Sequence, residues 1–224
     1  AGTAYKVTLT SIGDASYADS SASALSGSIS TLSAAAAATI TSPASVSKTV
    51  GDSHIFSASP TTASDGGSLT YQWESATAAS PAAYSSIAGA TSINYTTPTL
   101  AIADNGNQYR VVVTNAINGT TTAATSSAAT LTVAKAPLSA PTAITASTVS
   151  GSATSLKIAF TNASNATSYT ARIYLASDGT TLIATATSYT SNTAITGLTA
   201  GTAYKVTLTS IGDASYADSS ASAL

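Results

Sequence analysis

Residues 195–211 read ITGLTAGTAYKVTLTSI, and this stretch sets the architecture of the chain. Its second half alternates, with Tyr204, Val206 and Leu208 on one face and Lys205, Thr207 and Thr209 on the other. A period of two is the signature of a half-buried β-strand. The same alternation recurs at His54, Phe56 and Ala58, at Tyr109, Val111 and Val113, and at Leu156, Ile158 and Phe160. Turn sequences SDGGS, DNGN, NGT and SDGT separate these runs, which predicts an all-β protein of antiparallel β-sandwiches. Helical periodicity is scarce: the alanine run Ala34–Ala38 passes directly into TITSPASV, which reads as extended.

The same stretch belongs to a repeat. Ala200–Leu224, AGTAYKVTLTSIGDASYADSSASAL, also stands at Ala1–Leu25, letter for letter, at an offset of 199 residues. Sandwiches tolerate wide variation at outward positions, so identity there too points to near-identical copies within one gene. Both termini therefore read as cuts through a longer tandem array.

Composition narrows the function classes. The 224 residues have room for two ordinary domains, each with its own core. More than half of them are Ala, Ser or Thr, yet the hydrophobic fraction is 44% and the net charge only −2, which is the opposite of a disordered tract. Seven basic and nine acidic residues leave no basic stripe for nucleic acid and no polybasic patch for lipid. Cysteine is absent, which excludes disulfides, thiolate metal sites and a cysteine nucleophile. No apolar run approaches the roughly 18 residues of a membrane helix, so no membrane insertion is expected in this segment.

Two family resemblances follow from separate sets of motifs. Residues 39–134 carry SPASVSKTVGDSHIFSAS, then LTYQWE, then ADNGNQYRVVVTN, and resemble a bacterial immunoglobulin-like domain. The resemblance implies that Tyr109 is a tyrosine corner and that Trp73 supplies the bulk packed between the sheets, with Phe56 expected in the core. It also places Ala58 and Val111 where the family has its inter-sheet cysteines. Residues 141–224 carry APTAITA, SLKIAFT, ATSYTARIY and the opening stretch, and resemble a fibronectin type III domain. That resemblance puts Phe160 in the place usual for Trp and gives Leu198, Gly201, Thr202 and Tyr204 their family positions. Residues 1–25 then read as the C-terminal strands of a preceding fibronectin-like repeat, with linkers at 26–38 and 135–140. Pro137 and Pro141 stiffen the second linker. The expected whole is a row of tandem sandwiches, elongated like beads on a string.

No residue set here carries a catalytic pattern. His54 is the only histidine, on a face with Phe56 and Ala58, and reads as a packing residue. Asp14 with Asp19, repeated as Asp213 with Asp218, has a weak calcium spacing and reads as turn-forming. Asp104 reads as fixing the turn before Tyr109. Glu74 is the only glutamate and has no nearby carboxylate partner in sequence. Lys48 and Asn115 form a candidate isopeptide pair of the kind that the adhesin resemblance suggests, with an edge-strand lysine as the competing reading. Tyr84, Tyr95 and Tyr189 read as exposed aromatics, candidates for stacking on sugar rings.

The sequence therefore leads to a repeat unit of an extracellular or cell-surface fibre, stalk or adhesin shaft of bacterial type. No catalytic activity and no cofactor are expected, and the expected partners are copies of itself or adjacent repeats. The rival readings are an array that binds surface glycans or host proteins, and spacer domains of a secreted carbohydrate-active enzyme. Neither nucleic acid nor membrane is an expected partner. Because each sandwich has its own aromatic core and no ligand cluster, the chain is expected to fold without metal. A chelator should leave its melting temperature unchanged; a fall of several degrees would place calcium at the aspartate pairs.

Overall fold

The longest ladder in the protein joins Ser68–Ala76 to Gln108–Ile117, antiparallel, with Trp73 opposite Val111 and Tyr71 opposite Val113. Tyr109, Val111, Val113 and Asn115 are buried in turn between half-exposed neighbours, the period-two burial of a sheet with one face on a core. The computed structural model describes residues 3–59 and 61–223. Among the described residues there is no α-helix, only one 3-10 turn at Ile102–Asp104.

The chain separates into two compact units. The first comprises Ala1–Ser45, Ile55–Thr96 and Gln108–Thr130; the second comprises Val46–His54, Thr97–Asn107 and Leu131–Leu224. Up to residue 134 the strands are β1 (Ala4–Tyr5), β2 (Ile29–Ser30), β3 (Thr39–Ile40), β4 (Val46–Thr49), β5 (Ile55–Ser57) and β6 (Thr61–Thr62). They continue as β7 (Ser68–Ala76), β8 (Ser85–Ser86), β9 (Asn94–Thr96), β10 (Gln108–Ile117), β11 (Thr120–Thr125) and β12 (Ala129–Ala134). The main sheet runs β4-β12-β10-β7-β8, with β11 also on β10. Ala129 and Thr130 pair with Tyr109 and Gln108 in the first, and Leu131–Ala134 lie alongside Val46–Thr49 in the second. That last pairing is parallel. A purely antiparallel arrangement was the expectation; strands this far apart in sequence are free of the hairpin geometry that enforces it.

The first unit is held by aromatic stacking. Phe56 stacks on Tyr109 at 4.7 Å and lies tilted to Trp73 at 6.3 Å, while Tyr95 stands 6.1 Å from Trp73 and 5.8 Å from Tyr109. Each such pair contributes about 0.5–1.5 kcal/mol beyond the area it buries. The Trp73 indole N–H donates to the Ser92 carbonyl at 2.9 Å, so burying it leaves no unpaired donor. Ala58 and Val111, which stand where the resemblance puts cysteines, are both fully buried. The stretch 33–38 is bonded along this unit: Ala35 N–H donates to Thr120 Oγ1 and Ala36 N–H to the Asp65 carboxylate, and Ala35 and Ala38 are buried.

The second unit adds β13 (Ala136–Pro137), β14 (Thr142–Thr148), β15 (Leu156–Thr161), β16 (Ser168–Leu175), β17 (Leu182–Ala186), β18 (Ala194–Ile195), β19 (Tyr204–Ile211) and β20 (Tyr216–Ala217). One sheet is β14-β15-β18 and the other β17-β16-β19. Ile158, Ala171, Ile173, Tyr189, Ile195, Leu198 and Leu208 form the core between them, with Phe160, Tyr204 and Val206 half-buried against it. Thr207, expected on the outward face, is buried as well, so β19 is covered on both faces at its middle.

Side-chain hydroxyls close many of the ladders. In the N-terminal hairpin, Val7, Leu9 and Ser11 N–H groups donate to the hydroxyls of Ser26, Ser23 and Ser20. The backbone N–H groups of the same serines donate back to the carbonyls of Val7, Leu9 and Ser11. Every third residue of the return segment thus meets every second residue of the strand. The return segment is shortened to about 2.2 Å per residue, against ~3.3 Å in a strand. The same exchange joins Val111 to Ser126 and His54 to Thr97.

In the second unit a buried tyrosine supplies a hydroxyl beside the serines Ser191, Ser219 and Ser222. Tyr189 Oη accepts the Ile158 N–H at 2.9 Å and donates to the Thr193 carbonyl at 2.5 Å. Tyr204 Oη accepts the Thr199 N–H at 2.9 Å in an exposed loop. Removing a buried hydroxyl that serves two backbone groups costs about 1–3 kcal/mol, and an exposed one less, because water replaces it. Tyr189→Phe is therefore expected to lower the urea midpoint of the second unit more than Tyr204→Phe. Equal shifts would show that Tyr189 does not anchor β15.

Candidate functional site

Two polar side chains among the described residues are fully buried, Asn115 and Ser210, and the larger is Asn115, near the end of β10. It is fully buried, and its amide nitrogen donates to the Ala36 carbonyl and to both Asp65 carboxylate oxygens, each at 2.9 Å. Asp65 also accepts the N–H groups of Ala36 and Gly67. These donors stabilise the ionised form; the Ala36 N–H, the Asn115 amide and the Gly67 N–H hold the Asp65 pKa down to about 2. Asn115 Oδ1 faces Gly67 and has no partner among the described residues. A Cβ at Gly67 would stand 2.1 Å from that oxygen, so only glycine fits. The cluster joins the alanine run, the 65–67 turn and β10, and its geometry is that of a structural tie.

Several other titratable groups are similarly engaged. Glu74 is paired with Arg110 at 2.8 Å, and the Arg110 guanidinium lies 3.8 Å over the Tyr84 ring. Asp14 Oδ1 accepts the N–H groups of Ser16 and Tyr17, and Asp19 Oδ1 that of Gly13. Asp213 and Asp218 make the same bonds with Ser215, Tyr216 and Gly212. In each pair one oxygen of each carboxylate is spent on turn amides. Asp104 Oδ2 accepts the Ala101 N–H at 2.8 Å, and Asn107 donates to Oδ1 at 3.3 Å, fixing the 3-10 turn that precedes Tyr109. His54 is half-buried, and desolvation together with nearby Lys48 lowers its pKa. Among the described residues no three His, Cys, Asp or Glu side chains gather as a metal site.

Two sequence expectations change. Tyr84, Tyr95 and Tyr189 are not exposed platforms. Tyr84 donates to Gln108 Oε1 at 2.6 Å beneath Arg110, Tyr95 sits between Trp73 and Tyr109, and Tyr189 is core. Sequence spacing hid this, because their partners come from distant strands. The candidate pair Lys48 and Asn115 is also differently employed. Lys48 is half-buried on β4 opposite Val133, whereas the Asn115 amide is committed to Asp65 and Ala36. An isopeptide bond would have to displace both of those partners. Sequence reasoning missed Asp65 altogether; its place in an SDGG turn signalled only the turn.

Two clefts lie in the second unit. One of about 340 Å³ is lined by Leu156, Leu198, Thr199, Thr202 and Tyr204 among others, and one of about 470 Å³ by Asn162, Tyr169 and Tyr189 among others. Neither has a charged residue in its lining.

Fold and site together describe an all-β sandwich protein in which many polar side chains serve backbone hydrogen bonding. No protein-family model and no curated protein matches the sequence. Among solved structures, the chain is similar to the FN1–FN3 domains of chicken CNTN1. That similarity has 15% identity, covers 92% of this chain and 69% of that one, and has a TM-score of 0.36. The sandwich assignment stands on the strand pairing described above. No described helix is long and apolar enough to cross a membrane.

Asp65 has a pH signature with a definite sign. Its pKa falls on folding from 3.8 to about 2, so its contribution to stability is full above pH ~4 and is lost as pH falls toward 2. Thermal melts from pH 6 down to pH 2 should therefore show a steeper loss for the wild type than for Asp65→Asn. Parallel curves would remove the carboxylate from the tie. Gly67→Ala should destabilise the first unit by about 1–3 kcal/mol through overpacking against Asn115.

Proposed function

We propose that this chain is a structural repeat unit of an extracellular fibre, stalk or long adhesin shaft of bacterial type, without catalytic activity. The observation that carries the reading is the duplicated 25-residue hairpin. Ala1–Leu25 and Ala200–Leu224 are identical in sequence, and their turns make the same aspartate and serine bonds. Repetition of a folding element, outward residues included, is what an array of like modules needs; a single active site needs no such duplication. The low charge, the uncharged clefts and the engagement of Asp, Glu and hydroxyl groups in backbone bonds support the same reading. Its mechanism is mechanical: each packed sandwich is one link, and the partners are further copies. Fold alone cannot assign a function to a sandwich, so the reading rests on this repetition.

Two measurements test it. The coding sequence around this segment should contain further near-identical units at a 199-residue period. Immunogold labelling of intact producing cells, with antibody raised against this chain, should decorate surface fibres. Label confined to the cell interior would overturn the proposal.

A further inference from the structure

Many hydroxyls of the second unit serve backbone groups, but one cleft gathers polar side chains that do not. It measures about 470 Å³ and opens between the β15–β16 connection and the segment 188–191. Asn162, Ser168, Ser188 and Thr190 line it, and none of the four makes a side-chain hydrogen bond among the described residues. Tyr169 and Tyr189 line it too, but they are only 7% and 5% exposed and pack on Phe160. The cleft therefore presents amide and hydroxyl groups rather than ring faces, and it carries no charge.

Both walls are held in place. Tyr189 N–H donates to the Tyr169 carbonyl at 2.8 Å, its hydroxyl is bonded to Ile158 and Thr193, and Ser191 Oγ accepts the Phe160 N–H at 3.2 Å. Directly before that anchor Ser188 adopts a φ of +51°, the left-handed region that a residue with a Cβ rarely enters. On the opposite wall Thr167 N–H and Oγ1 both donate to the Ile211 carbonyl, and Tyr169 Oη donates to the Ala163 carbonyl at 3.4 Å. Backbone strain persists only where its surroundings over-determine it, and it concentrates at ligand clamps. A cleft whose walls are already fixed loses little binding energy to ordering itself.

We propose that this cleft binds a neutral saccharide, a pyranose unit of a larger glycan. The uncharged lining offers no counter-ion, so a charged ligand group would be desolvated there without compensation. A polyhydroxylated ligand matches the amide of Asn162 and the hydroxyls of Ser168, Ser188 and Thr190, each of which can both donate and accept. An extended peptide fits less well. The N–H groups of Tyr189, Asn192 and Thr193 are already bonded to the carbonyls of Tyr169, Ile158 and Thr190, so this wall has no ladder for a further strand. The volume falls within the roughly 300–1,000 Å³ of small-ligand clefts. The site lies wholly within the second unit, and it goes beyond the structural reading above without depending on it.

The test titrates the full chain, labelled with nitrogen-15, with cellobiose, maltose and diacetylchitobiose up to about 50 mM, enough to fill a site of millimolar Kd. At least one of these sugars is expected to give saturable NMR shifts at the amides of Ser168, Ser188 and Thr190. Asn162→Ala and Thr190→Val should each raise the Kd roughly threefold or more, by removing one hydrogen-bonding group. Ser188→Gly, which relieves the backbone, should raise the melting temperature while weakening binding. All three positions are exposed, so the variants are expected to keep the wild-type fold. Saturable shifts with none of the sugars, or a Kd that all three variants leave unchanged, would overturn the inference. So would a short Ser/Thr-rich peptide that saturates the same amides when no sugar does. Failure here leaves the fibre reading to the surface-labelling experiment, and interior labelling there leaves this cleft untouched.

Discussion

A β-strand must place every backbone N–H, and in this protein a hydroxyl often receives it. Leu9 and Ser11 donate to serine hydroxyls, as do their counterparts Leu208 and Ser210; Val111 donates to Ser126, and Ile158 to Tyr189. An unpaired buried donor costs more than the net gain of making the bond, so the hydroxyls at the buried positions, those of Ser126, Tyr189 and Ser219, are required where they stand. The serines add a second function by returning their own N–H to the partner strand. This explains a composition that first looks like low complexity: Ser and Thr are abundant because they complete the ladders. Few charges are needed, since polar capacity is spent inside the fold.

The same constraint shapes the cores. Without cysteine, no disulfide joins facing strands, and the first unit relies on the stacked Phe56, Tyr109, Trp73 and Tyr95 rings. Trp73 can occupy a fully buried position because Ser92 accepts its N–H. In the second unit Phe160 packs edge-on to Tyr169 at 4.7 Å, while Tyr189 combines packing with backbone support. Asn115 and Asp65 play the corresponding part in the first unit, tying a turn and the alanine run to β10. The polar side chains that look chemically able are thereby occupied, which is why the functional reading is mechanical.

Much of this was legible in advance. Alternation at Tyr109–Val113 and Tyr204–Leu208 marked strands, because period-two burial is written directly into a half-buried strand. The aspartates at 14, 19, 213 and 218 could be read as turn residues, since an Asx turn needs only neighbours in sequence. Tyr189 and Tyr95 could not be placed, as a tyrosine on a strand or loop has no mark that says whether a distant strand will cover it. The Asn115–Asp65 contact was hidden for the same reason: it joins residues fifty apart.

The duplicated hairpin separates the two kinds of information within one molecule. Its sequence alone determined the aspartate bonds and the serine rungs at Leu9–Ser23 and Ser11–Ser20, for these form at both ends from residues close along the chain. Only tertiary structure decided that Leu208 is enclosed while Leu9 faces solvent. Local hydrogen bonds need partners a few residues away, whereas burying an apolar face needs a second sheet, and that sheet is supplied by residues 135–199 at one end of the chain. The parallel pairing of β4 with β12 belongs to the same class: long-range assembly fixed it, and no short stretch of sequence records it.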